Sequence, residues 1–172
     1  MAIKEKIVKA RKYFDIIAAV LGVVAIIMMF IPAVVYKAGT EAEKVYTGLQ
    51  VIFGYSETTK AGMISVTTNH FAFSFMNLLT YVLFLGGVVV LVLNMLGKSG
   101  KFGSFIALAC FVVATVFAFC TVAFSVPGVN EILGNAVNAW KVEDLTLSAG
   151  PIVAAIMGIL ASVVCAGKIL FK

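Results

Sequence analysis

The chain has 172 residues, a net charge of +5, only 12% charged side chains and a mean hydropathy of +1.11. A soluble domain carries roughly 25% charged residues, so this composition excludes a soluble protein, and the length leaves no room for a separate soluble domain. Four nearly uncharged apolar stretches, 16–36, 71–96, 103–126 and 150–170, account for the figures, and each reaches the about 20 helical residues that cross a bilayer.

The chain opens on Lys4, Lys6, Lys9, Arg11 and Lys12, with Ile3, Ile7, Ala10 and Phe14 at spacings of four, three and four. This predicts a helix lying on anionic lipid ahead of the first span, or folding inward to gate a pore. The first span, 16–36, has an apolar run longer than the about 7–15 residues of a signal-peptide core, so it is expected to be retained. Ala18 and Gly22 form a small-residue pair along it, and Asp15 at its inner edge is expected to pair with Arg11 or Lys12.

The segment 37–70 is the longer of two outer loops. In Val45–Gly54, the residues Val45, Thr47, Leu49, Val51 and Phe53 alternate to one face, and Met63–His70 is again rich in β-branched residues. With turn-type residues across Tyr55–Gly62, this predicts a β-hairpin whose strand edge is free to pair. His70, the only histidine, is expected to sit at the membrane edge.

The second span carries Ser74, Asn77 and Tyr81 at helical spacing, a polar line that predicts either hydrogen bonding between helices or one wetted wall of a pore. A short Gly/Ser/Lys link, 97–102, forces the next span back antiparallel. That span carries Cys110, Ala114 and Ala118. In the loop 127–149, Val129, Ile132, Leu133, Ala136, Val137 and Trp140 recur at helical spacing, predicting a short outer amphipathic helix with Trp140 as an interfacial anchor. Val142, Leu145 and Leu147 predict a short strand beside the hairpin. The fourth span has Gly150, Ala154, Gly158, Ser162 and Ala166 at intervals of four, a ladder for close helix packing inside the chain or between subunits.

The predicted fold is therefore all-α: one domain, 1–172, forming a four-helix transmembrane bundle with a small extracellular β-hairpin and a short outer helix. Lys98, Lys101, Lys168 and Lys172 fall with the basic N-terminus on one side of alternating spans, while Glu41, Glu43, Glu57, Glu131, Glu143 and Asp144 fall on the other. The positive-inside rule then places both termini in the cytoplasm, in a plasma or bacterial inner membrane. Charge distributed in this way points to lipid and not to nucleic acid.

Cys110, Cys120 and Cys165 all lie in predicted spans, with no Cys-x-x-Cys pair, no Cys/His cluster for zinc and no phosphate-binding Gly-rich loop. No cofactor, metal or catalytic residue is expected.

The order of elements resembles that of claudin-type tetraspans, which have four spans, cytoplasmic termini and β-strands in a larger first outer loop. Within YTGLQVIFG, Gly48-Leu49 matches the Gly-Leu of the claudin first-loop signature. Gln50 stands where that signature has its second Trp, and its two cysteines are absent. The resemblance implies lateral pairing of outer β-edges between subunits, and no residue-level barrier or ion-selectivity role. The expected function is non-enzymatic: a membrane protein that self-assembles through its β-layer and small-residue helix faces, as a passive channel or claudin-like assembly. The alternatives are an accessory subunit docking onto a transporter or secretion complex, and a lipid or small-molecule carrier.

Overall fold

The computed structural model describes residues 2–61, 64–98, 102–132 and 135–170, and of residues 2–11, 61, 64 and 132 the backbone alone. Side-chain expectations for Lys4, Lys6, Lys9, Arg11, Lys101 and Lys172 lie outside the described residues. The chain divides into two units: residues 1–27, 79–118 and 153–172 form one, and residues 28–78 and 119–152 form the other.

The all-α expectation is overturned. Of the described residues 62% are helical and 23% lie in strands, a mixed α/β structure. The helices are α1 (Ala2–Ile27), α2 (Gly48–Phe53), α3 (Phe75–Met95), α4 (Gly103–Phe119), α5 (Thr121–Phe124) and α6 (Ala149–Leu170). Three segments, Lys12–Phe30, Phe75–Met95 and Ala149–Leu170, are helical, long and apolar enough to cross a membrane. The stretch 103–126 falls short because its helix α4 ends after 17 residues. That is about 25 Å at the helical rise, against roughly 30 Å of hydrocarbon.

The first unit is helical. Its interior is set by small residues on α1 and α6 and aromatic residues on α3 and α4. Ala18, Ala25, Ala154, Ala155 and Ala161 are buried, and Phe84 and Phe111 fill the space with ring centroids 6.3 Å apart. Gly158 lies against Thr115 and Phe84, and Gly22 against Val88 and Phe111, so a Cβ at either position would collide with a packed side chain. Midway along α1, Asp15 is 4% exposed; of the partners expected for it, the Arg11 side chain lies outside the described residues. Both Asp15 carboxylate oxygens accept from Lys168 Nζ, at 2.6 Å each, tying α1 to the last turn of α6. Large apolar side chains cover the outside: Val20, Phe105, Val116 and Val163 are each more than half exposed.

The second unit is β-rich. Its strands are β1 (Pro32–Tyr36), β2 (Lys44–Thr47), β3 (Tyr55–Ala61), β4 (Ile64–Ala72), β5 (Val126–Pro127), β6 (Val129–Ile132), β7 (Asn135–Asn138) and β8 (Leu145–Leu147). They form antiparallel sheets in the orders β2-β1-β8, β3-β4-β5 and β6-β7. Pro32 explains the first departure from expectation. It has no N–H for a helix and disfavours helical backbone at Ile31, so the last part of the predicted span 16–36 becomes the central strand β1. Val34 there is paired with Tyr46 on one side and Leu147 on the other.

The hairpin of the loop 37–70 exists, but its strands are β3 and β4. The expected strand 45–54 is strand only as far as Thr47. From Gly48 it is helix, because Thr47 and Gln50 make a capping box: Gln50 N–H donates to Thr47 Oγ1 at 3.4 Å and Thr47 N–H donates to Gln50 Oε1 at 2.9 Å. Gly54, at φ 91°, stops the helix and lies so close to β4 that a Cβ would meet the Phe71 carbonyl oxygen at 2.9 Å. The expected outer amphipathic helix is likewise absent: β6 and β7 occupy its place. Met63 and Leu133 lie outside the described residues.

The core of this unit comprises Ala33, Val34, Tyr46, Val51, Phe71, Trp140 and Leu145. Trp140, expected as an interfacial anchor, is 5% exposed and belongs to this core.

Candidate functional site

The most developed arrangement of functional groups lies in the β-rich unit, around His70. Strand β4 presents it, strand β2 presents Lys44 and Tyr46 two residues apart on one face, and β3 presents Glu57 opposite Thr68. The four side chains form a chain of contacts. Lys44 Nζ donates to Glu57 Oε2 at 2.8 Å, that same oxygen is 3.3 Å from His70 Nε2, and His70 Nδ1 is 3.1 Å from the Tyr46 hydroxyl. A neutral imidazole protonated on Nε2 satisfies both neighbours at once, accepting from Tyr46 and donating to Glu57.

Rings hold the imidazole in place. Tyr55 stacks on it with an interplanar angle of 23° and centroids 5.8 Å apart, and Tyr46 lies tilted at 5.6 Å. Trp140 packs on Phe71 at 5.1 Å, and its Nε1–H donates to the His70 carbonyl at 2.7 Å.

The electrostatics follow from this packing. Burial, reinforced by Glu57, Tyr55 and Tyr36, pushes the Tyr46 hydroxyl from 10.0 up to about 12. The Lys44 hydrogen bond and charge hold the Glu57 carboxyl below its usual 4.5, with a smaller contribution from His70. Beside the cluster opens a cavity of about 280 Å³, lined by Tyr36, Tyr46, Trp140, His70 and the acids Glu41 and Glu43, among others. Among the described residues no three His, Cys, Asp or Glu side chains converge as a metal site requires.

A second feature of this unit is its exposed strand edge. Among the described residues strand β3 is paired on one side only, by β4, and Thr58, Thr59 and Lys60 are exposed. The neighbouring strand is handled differently. Asn130 of β6 uses its side-chain amide as a substitute strand: Oδ1 accepts from Asn69 N–H at 2.7 Å and Nδ2 donates to the Asn69 carbonyl at 3.0 Å. The edge of β4 is thereby capped at Asn69.

The residues singled out from sequence are distributed as follows. Val45 and Thr47 lie on β2, whereas Leu49, Val51 and Phe53 lie in α2 and Val51 is buried, so the five do not form a strand edge. Ser74, Asn77 and Tyr81 are all buried, at 1%, 2% and 8% exposure. Ser74 Oγ donates to the Phe124 carbonyl at 2.6 Å and Asn77 Nδ2 to the Thr121 carbonyl at 3.2 Å. Their partners are carbonyls at the break after Cys120, where α4 gives way to α5, so the polar line serves a helix terminus.

Gly150, Ala154 and Gly158 are buried within the chain; a Cβ at Gly150 would meet the Pro32 carbonyl at 2.8 Å. Ser162 and Ala166 are half-buried. Its first three members pack inside the chain, one of the two alternatives read from the spacing. The outward face of α6 is Ile156, Ile159, Leu160 and Val163.

By class, then, this is a chain with three helices long and apolar enough to cross a membrane, joined to a β-rich unit whose ordered side chains surround one histidine. No family model, curated protein or solved structure matches it.

Proposed function

We propose that this is a non-enzymatic integral membrane protein whose β-rich unit lies outside the bilayer and joins copies of the chain laterally through strand β3. The observation that carries the reading is the unpaired edge of Tyr55–Ala61. Such an edge offers a row of backbone donors and acceptors to another strand.

A second copy is a suitable partner. In a two-fold antiparallel pairing centred on Thr58, Ser56 faces Lys60 and Glu57 faces Thr59 of the second copy, so no like charges oppose each other. Lateral pairing of this kind is also what the likeness to claudin-type proteins implies. The apolar cover of Val20, Phe105, Val116 and Val163 supports contact with lipid, since soluble surfaces rarely carry so much contiguous apolar area. The Asp15–Lys168 pair supports a cytoplasmic location for both chain ends, because it brings the beginning of the apolar span Lys12–Phe30 and the end of α6 together among the basic residues.

The test is the mass of the protein in lipid nanodiscs, measured by native mass spectrometry. Discrete multimers are expected from the natural chain. Thr58→Lys should reduce them to monomers by setting two ammonium groups directly opposite each other. Thr67→Lys, which breaks the same 2.9 Å hydroxyl contact from β4, should leave them intact. Monomers alone in the natural chain would overturn the reading. A stoichiometric foreign chain would turn it towards an accessory subunit of a transporter or secretion complex.

A further inference from the structure

The strands of the β-rich unit run from an uncharged end to a charged one. In the β1-β2 pair, Pro32 stands opposite Thr47 at one end and Tyr36 opposite Lys44 at the other, where the turn carries Lys37, Glu41 and Glu43. In the β3-β4 pair, Tyr55 stands opposite Phe71 at one end, and Lys60 opposite Ser65 near the other. The stretch 45–56, which leads from one pair into the other, has no charged residue.

Helix α2 lies within that stretch, and both its ends are tied to spans. Gly48 N–H donates to the Ile31 carbonyl at 3.3 Å, and a Cβ on Gly48 would meet the Met29 carbonyl oxygen at 2.7 Å, so α2 starts where Lys12–Phe30 ends. The Ile52 carbonyl accepts from Ser74 N–H at 2.8 Å, immediately ahead of Phe75–Met95. The third span joins them, since a Cβ on Gly150 would lie 3.0 Å from the Met28 carbonyl oxygen and 3.3 Å from that of Ile31. Ends of all three spans therefore meet beside α2, at the uncharged end of the strands.

The side chains at this level divide in two. Gly48, Val51 and Ile52 of α2 are buried. Phe53 is not, nor are Phe73 and Phe75, which flank Ser74 in sequence; together with Phe30, each of these rings is more than half exposed. A lone exposed ring is ordinary, but four at the junctions of two spans with one short helix make an apolar surface that water does not favour. The backbone is prepared for a poorly hydrated setting, because the capping box of Thr47 and Gln50 and the bond from Ser74 satisfy peptide groups at both ends of α2.

We propose that this surface, α2 with Phe30, Phe53, Phe73 and Phe75, binds lipid at the level of the head groups and seats the base of the β-rich unit in the membrane. The proposal rests on the reading of the chain as an integral membrane protein. Lipid is the occupant because the surface continues directly from spans which that reading sets in lipid, and because the charges of the same strands lie at their opposite ends. An interfacial segment buries its apolar side about 5–10 Å deep. Strand β3, seven residues and so about 23 Å long, then carries Lys60 well into water. The anchoring expected of Trp140 passes to phenylalanines on either side of a short helix.

Because these sites are exposed, a tryptophan can be placed at them and located by quenching, with the emission of Trp140 in the natural chain subtracted. The variants are Phe53→Trp, Thr59→Trp on β3 and Val163→Trp on α6, each checked for native circular dichroism. They are compared in nanodiscs of phosphatidylcholine, plain or brominated near either end of the acyl chains. Phe53→Trp should lose about half of its added emission to bromine near the head groups. Val163→Trp should be quenched by one or both brominated lipids, and Thr59→Trp by neither but by aqueous iodide.

The lipid surface is refuted if Phe53→Trp is quenched by iodide as strongly as Thr59→Trp, or by no agent because protein covers it, or chiefly by bromine near the chain ends. In each of those cases bromine quenching of Val163→Trp leaves the membrane reading standing. If Val163→Trp also escapes bromine, the membrane reading fails and this inference falls with it.

Discussion

The helical unit and the β-rich unit meet the same requirement, burying backbone alongside apolar side chains, by opposite means. In the helical unit each helix satisfies its own peptide groups, so side chains at the crossings are free to be small, as at Ala18, Gly22 and Gly158. In the β-rich unit short strands leave peptide groups open, and long side chains close them: Asn130 on Asn69, Trp140 on His70, and Ser74 and Asn77 on the carbonyls of 124 and 121. Added volume at its helix crossings thus damages the first unit, whereas the second is also open to damage by a lost side-chain donor.

Truncating Trp140 to Ala should have the largest effect, costing about 4 kcal/mol from ring burial alone, with its hydrogen bond to His70 lost as well. Amide exchange should then open β1 and β4 while α4 keeps its protection; equal loss in α4 would break the comparison. Gly158→Leu should act in the reverse sense, costing about 3 kcal/mol by overpacking against Thr115 and Phe84. Thermal unfolding in detergent measures it, and Trp140 emission should stay native below the transition. Asn130→Ala should cost about 1 kcal/mol, seen as faster exchange at Asn69; an unchanged rate would mean that the amide is not the cap described.

The smallest effects should be those of pH. Because Tyr46 is raised from 10.0 to about 12, the folded chain holds that proton more tightly than the unfolded one. Its contribution is complete below pH 10 and lost as pH rises from 10 to about 12. Tyr46→Phe should flatten that limb of the stability curve. At the acid end Glu57 is lowered, chiefly by Lys44, so its contribution is present above pH 4.5 and fades as pH falls through the lowered value. Lys44→Met should remove most of this acid dependence.

These differences between the units also explain what the sequence disclosed. Apolar length alone marks α1, α3 and α6, because a membrane helix needs only side-chain hydropathy to be recognised. The same criterion misreads Pro32–Tyr36, since a buried strand and a buried helix share an apolar run and only Pro32 separates them. Tyr55–Ala61 reads as a turn because its serine and threonines are polar. It is a strand because they face equally polar partners, as in Thr58 opposite Thr67. The alternation across 45–54 hides the Thr47-x-x-Gln50 capping box, a signal that was available. In 129–140 the helical spacing conceals two four-residue antiparallel strands, β6 and β7. The His70 cluster left no mark, because Lys44, Tyr46, Glu57 and His70 meet only once β2, β3 and β4 are assembled.

The ion pair between Asp15 and Lys168 joins residues 153 positions apart. At about 5–20 residues per second, roughly 8 to 30 s of synthesis separate the appearance of the carboxylate from that of its ammonium partner. Throughout that interval Asp15 lacks this ammonium partner. Any product that terminates before residue 168 lacks that partner for good, so the tie between α1 and α6 depends on the last turn of α6.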